Sequence, residues 1–152
     1  MASGPDVGDP APDFELESTR GVVRLSERLE KGPVLLVFYP GDDTMVCTKQ
    51  LCDYKDNLEV FSDVGVQVLA INPSSVESHE AFSRKHELPF PLLADPYREA
   101  CKPYGAIGLL GMIRRALFLV GTDGRIRYRR VDLPIFRTTA AELAEVIAGL
   151  EL

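Results

Sequence analysis

The chain has 152 residues, of which 45% are hydrophobic and 26% charged; it is about one domain long, and the composition excludes collagenous, low-complexity and disordered classes. Seventeen lysines and arginines against twenty-three acidic residues leave a formal net charge of −6, which repels polyphosphate and anionic headgroups. Neither nucleic acid nor a membrane is therefore an expected partner.

The opening segment through Pro12 carries Gly4, Pro5, Gly8 and Pro10 and reads as an extended lead-in. Phe14 and Leu16 then alternate with polar residues, and Val22 to Leu25 supply a hairpin partner. The six apolar residues Val34 to Tyr39, bounded by Gly32-Pro33 and Pro40-Gly41, have the pattern of a strand buried on both faces in the middle of a sheet. From Thr44 to about Phe61, Leu51, Tyr54, Leu58 and Phe61 recur at steps of three and four, which predicts one amphipathic helix. Val66 to Ile71 reads as a second buried strand, and Ser75 to His86 as a helix with Val76, His79, Phe82 and His86 along one side. Beyond Leu92-Leu93 a short helical stretch is expected near Tyr97 to Tyr104. A strand at Ala116 to Val120, a turn at Thr122-Asp123-Gly124, an antiparallel strand at Ile126 to Val131 and a helix from about Thr139 to Leu150 complete the chain. This order predicts a single α/β domain over residues 1–152, thioredoxin-like with extensions: a mixed central sheet with helices on both faces and an antiparallel hairpin toward its far edge.

Three cysteines are too few for a secreted disulfide framework, and the first residues show no basic stretch followed by an apolar one, so a cytoplasmic protein is expected. Cys47 and Cys52 are five apart, which is neither a Cys-x-x-Cys dithiol nor a zinc pair. In a helix that starts at Thr44, Cys47 falls in the first turn, where free backbone N–H groups and the positive end of the macrodipole favour an anion. A thiolate is such an anion, and Cys47 is a candidate nucleophile. Helical geometry separates the two Cα atoms by about 8–9 Å, whereas a disulfide tolerates at most about 7 Å. Either the two never pair, Cys52 being a small packing residue, or the first turns unwind.

The run Pro40-Gly41-Asp42-Asp43-Thr44-Met45-Val46-Cys47 resembles the Pro-x-x-x-Thr-x-x-Cys signature of peroxiredoxins, thiol peroxidases on an extended thioredoxin fold. The preceding Val-Phe-Tyr and the following Thr48-Lys49-Gln50-Leu51-Cys52 are similar to the Q-type subgroup, also called bacterioferritin comigratory protein, whose resolving cysteine commonly lies five residues after the peroxidatic one. Gly8 to Phe14, Leu88 to Asp95 and Arg115 to Val120 match further motifs in family order, while Met45 and Val46 stand where the subgroup often has Pro and Gly. The resemblance implies that Cys47 attacks the peroxide and becomes a sulfenic acid, and that Cys52 condenses with it to a disulfide which an external thiol reduces. It also implies that Pro40 shields the thiolate, that Thr44 hydrogen-bonds the thiolate and peroxide while capping the helix, and that Arg115 supplies a permanent charge with a fork of donors. Arg114 is the neighbouring alternative, but strand alternation points it the other way. No metal, haem or flavin cofactor is implied. The expected partners are a hydroperoxide substrate and a thioredoxin-like reductant, with the chain a monomer or weak homodimer.

Asp42 and Asp43 put negative charge near Cys47, which opposes a thiolate unless they face solvent or the helix N-terminus. Cys101 reads as a packed helix residue, with a second resolving role as the alternative, and His79 and His86 as packing or surface residues without a third metal ligand. Arg125, Arg127 and Arg129 alternate with Ile126 and Tyr128, which suggests a solvated strand face or a docking patch. That basic face is the feature favouring another function, a redox-responsive interaction protein switched by the same cysteine pair. Pro134-Ile135-Phe136 and Met112-Ile113 are apolar segments that suit the mouth of a site or a dimer contact.

Overall fold

A computed structural model describes residues 4–42, 45–132 and 138–150. The hairpin expected near the start forms as β1 (Glu15–Ser18) and β2 (Gly21–Arg24), and Leu25, expected to extend it, instead opens the short helix α1 (Leu25–Leu29). The apolar runs become β3 (Val34–Phe38) and β4 (Gln67–Asn72), and a short β5 (Leu92–Ala94) follows. Strands β6 (Arg115–Val120) and β7 (Ile126–Asp132) make the far hairpin. All seven lie in one sheet of order β2-β1-β5-β4-β3-β6-β7, parallel through β3, β4 and β5 and antiparallel elsewhere.

The helices are α2 (Met45–Asp56), α3 (Glu59–Ser62), α4 (Val76–His86) and α5 (Ala140–Ala148). Ser75 and Thr139 cap α4 and α5, each side chain accepting a backbone N–H three residues on. The single helix expected from Thr44 to Phe61 is thus two. Asn57 ends α2 by donating its amide Nδ2 to the Asp53 carbonyl at 3.0 Å and to Asp53 Oδ1 at 3.1 Å, local bonding that competes with helix continuation. The stretch near Tyr97 to Tyr104, expected as helical, is instead a series of turns. Its geometry is set by the buried Asp95 carboxylate, which accepts the N–H groups of Glu99, Ala100 and Cys101 at 2.7–3.0 Å, and by Arg98, which adopts φ 58°.

Side-chain alternation along the central strands splits the interior into two cores. Val34, Leu36 and Phe38 of β3 meet Ala116 and Phe118 of β6 on one face, covered by α1 and the turns carrying Cys101 and Tyr104. Leu35, Val37 and Tyr39 meet Leu117 and Leu119 on the other face, beneath α2, α3, α4 and α5. Cys47 belongs to this second core. Among the described residues no helix is long and apolar enough to cross a membrane.

Candidate active site

The register of the sheet brings the functional side chains together. Phe38, the last residue of β3, pairs with Ala116, so Arg115 begins β6 beside the point where the chain leaves β3 for α2. Arg115 shares the face of Leu117 and Leu119 by strand parity, and it is only 2% exposed. Its Nη2 donates to Cys47 Sγ at 3.0 Å. Cys47 is the third residue of α2 and 0% exposed, so the sulfur sits in the first turn against a guanidinium rather than in open solvent.

Sequence reasoning missed Gln50 as a site residue. Cys47, Gln50, Leu51 and Tyr54 form the buried stripe of α2 at helical spacing. Gln50 Oε1 accepts from Arg115 Nη1 at 2.5 Å, while Gln50 Nε2 donates to Tyr54 Oη at 3.1 Å. Tyr54 Oη donates onward to the Thr138 carbonyl at 2.6 Å, and burial pushes the phenol up, keeping it a neutral donor. The guanidinium is therefore held on the sulfur by a chain of bonds anchored just before α5. A polar residue at i+3 from Cys47 and i−4 from Tyr54 was the available signal.

A second polar cluster adjoins the first. Asp42 Oδ1 accepts from Tyr39 Oη at 2.6 Å, and Oδ2 accepts from Ser78 Oγ at 2.7 Å and lies 2.9 Å from His79 Nδ1. Burial alone would raise the Asp42 carboxyl, but the hydrogen bonds from His79 and Tyr39, the attraction of His79 and the Ser78 hydroxyl together hold it below the ordinary carboxylate value. With the carboxylate ionised and accepting from both neighbours, His79 Nδ1 carries the proton that faces it. Burial raises Tyr39 well above the usual phenol value, with the Asp42 charge and its hydrogen bond adding to the shift. Asp42 thus turns away from solvent, one of the two directions expected of it, and toward Tyr39 and the α4 residues Ser78 and His79. His79 is a buried member of this cluster, and His86 packs against Phe82 with ring centroids 4.9 Å apart.

Pro40 is half-buried and lines an open cleft of about 430 Å³ with Pro73, Arg98, Gly111, Met112 and Ile113. Met112 is exposed at its rim while Ile113 is buried. Cys52 is half-buried on α2, and burial pushes its thiol up; all three cysteines are free. Cys101 lies in the opposite core, on the other side of the sheet from Cys47. Thr44, Asp43 and the Pro134-Ile135-Phe136 segment lie outside the described residues. The arginines of β7 are engaged locally: Arg127 pairs with Asp123 and Arg130 with Glu142, both at 3.1 Å, while Arg125 donates to the Gly8 carbonyl at 2.9 Å. The basic face is therefore largely tied to its own surroundings. Among the described residues no group of three His, Cys, Asp or Glu side chains is arranged to hold a metal.

The chain is similar to known proteins over most of its length. The AhpC/TSA family model matches residues 7–129. Peroxiredoxin Bcp of Bacillus subtilis is 35% identical over 139 residues, covering 84% of this chain and 87% of that protein. The crystal structure of peroxidoxin BcpB from Mycobacterium tuberculosis superposes with a TM-score of 0.81 at 29% identity, covering 95% of this chain and 94% of the other. A PrxQ variant from Xylella fastidiosa, at 24% identity, shares the fold with a TM-score of 0.86 over 96% of this chain and 97% of that one.

Proposed function

Because the chain belongs to the AhpC/TSA family, in its Q-type or Bcp branch, thiol peroxidase chemistry is its activity, and we propose that Cys47 is the peroxidatic residue and Cys52 its resolver. The observation that carries this reading is the Arg115 guanidinium at 3.0 Å from Cys47 Sγ in the first turn of α2. Two donors of one planar group hold the sulfur and Gln50 simultaneously, so the charge is aimed at the position where anionic oxygen develops.

Hydrogen peroxide and small organic hydroperoxides are the proposed substrates, approaching by the cleft that Pro40 lines. Cys47, as the thiolate, attacks one peroxide oxygen; an S–O bond forms, the O–O bond breaks, and the departing oxygen takes a proton and leaves as water or alcohol. The sulfur is oxidised by two electrons to a sulfenic acid. Arg115 donates to the oxygen on which charge gathers, and Thr44 is assigned the second polar contact to the peroxide. The Cys52 thiol then condenses with the sulfenic acid, forming S–S, breaking S–O and releasing water. A thioredoxin-type dithiol reduces the disulfide by exchange and is itself oxidised. This cycle needs a reducing compartment, and we assign the protein to the cytoplasm, where it acts as an antioxidant, as a monomer or weak homodimer.

The test is peroxide consumption by the purified protein with thioredoxin, thioredoxin reductase and NADPH. Cys47→Ser should abolish turnover, and Cys52→Ser should retain the first attack while losing the disulfide and slowing recycling. Turnover that survives Cys47→Ser would refute the assignment.

A further inference from the structure

The cluster around Asp42 takes no part in the reaction written above, yet it ties the connection before α2 to a helix that stays in place. Tyr39 and Asp42 flank Pro40 on the connection from β3 to α2, whereas Ser78 and His79 lie in the first half of α4. Three side chains direct donors at one carboxylate, at 2.6, 2.7 and 2.9 Å. Helix α4 is fixed to the sheet through Phe82 in the same core as Cys47. His79 is fully buried, and its Nε2 meets no partner among the described residues, so all polar bonding of the ring is directed at the 39–42 connection. A buried carboxylate is retained only while its donors offset the loss of water.

Asp42 lies three residues before the first residue of α2, and Cys47 and Cys52 cannot bond while that helix is intact. Only two residues separate Asp42 from that helix, so displacing its first turn pulls on the segment that Asp42 anchors.

We propose that Asp42, held by Tyr39, Ser78 and His79, is a latch on the loop before α2 that sets how often Cys47 is released to meet Cys52. While the latch is closed, the sulfenic acid stays beside Arg115, and a second peroxide can oxidise it to the sulfinic acid, with another S–O bond formed and another O–O bond broken. When it opens, condensation with Cys52 competes. Asp42 and His79 are positioning residues in this account, which rests on Cys52 being the resolver.

The experiment compares wild type with Asp42→Asn, Ser78→Ala and Tyr39→Phe. Backbone amide exchange is followed by peptide in the reduced proteins, and intact mass after a peroxide pulse separates loss of two hydrogens from gain of two oxygens. Losing one hydrogen bond to a charged acceptor should raise opening by roughly ten-fold or more. The expected result is exchange accelerated more in the first turns of α2 than in β3, β4 and β6, faster disulfide formation and a smaller sulfinic fraction, in the order Asp42→Asn, then Tyr39→Phe and Ser78→Ala. Unchanged exchange in α2 of the folded variants, or exchange raised equally throughout β3, β4 and β6, would overturn the latch. If wild type forms no disulfide, the resolver reading fails instead, and the exchange pattern still decides whether the latch exists.

Discussion

Replacing Gln50 with Met keeps the length of the side chain but removes its acceptor and its donors. Arg115 Nη1 loses the oxygen at 2.5 Å, and Tyr54 Oη loses the amide at 3.1 Å while keeping its own bond to the Thr138 carbonyl. Stranding a buried charged donor costs about 1–3 kcal/mol and loss of the second bond about 1 kcal/mol, so a destabilisation of roughly 2–4 kcal/mol is expected. For a chain of this size that lowers Tm by roughly 4–16 °C. The catalytic effect is separate, because Arg115 Nη2 still has Cys47 Sγ within reach but no longer has Gln50 to fix its plane. Peroxide attack should slow by roughly ten- to a hundred-fold, equivalent to about 1.4–2.7 kcal/mol. Thermal unfolding gives the first quantity, and stopped-flow oxidation of the reduced protein by hydrogen peroxide, in a single turnover, gives the second. A variant within about 0.5 kcal/mol of wild type and equally fast with peroxide would refute the idea that the chain from Thr138 to Arg115 holds the guanidinium on the sulfur. A loss of stability without a loss of rate would leave Gln50 a structural acceptor only.

The Asp42 carboxyl is held below its ordinary value, so its contribution is present above the unfolded-state pKa of about 3.9 and disappears as pH falls through the lower folded value. In urea titrations the stability gap between wild type and Asp42→Asn should therefore be widest above about pH 4 and close below it; a gap independent of pH would contradict this. Cys101→Ala should leave peroxide consumption unchanged and cost on the order of 1 kcal/mol, because burial pushes that thiol up and the sheet separates it from Cys47. A loss of peroxidase rate in that variant would count against the two-core division. Ser75→Ala removes the cap on α4, the bond accepted from the Ser78 N–H at 3.1 Å, and should lower stability by about 1 kcal/mol in chemical denaturation.

Features with a local cause were readable before any coordinates. The apolar run of β3 and the capping serine and threonine of α4 and α5 each fall within a few residues of their effect. Strand parity distinguished Arg115 from Arg114, and helix phase put Cys47 in a first turn. What escaped depends on partners far along the chain. Gln50 looks like an interruption of an apolar stripe until Arg115, sixty-five positions away, supplies its donor. Asp42 looks like a charge that opposes a thiolate until His79, thirty-seven positions on, turns out to face it. The turns at 96–105 look helical by composition, and only the buried carboxylate of Asp95, gathering three N–H groups, explains their course.

Three thiols permit three intramolecular pairings, but the sheet stands as a wall between Cys101 and the two on α2. Under the proposed cycle, disulfide formation within the monomer therefore joins Cys47 to Cys52 and leaves the Cys101 sulfhydryl behind it. An alkylation count on the folded disulfide form should find nothing to label until the chain is unfolded, and then a single group. That makes the unused cysteine an internal standard, a tally of intact molecules against which every turnover at the other pair can be normalised.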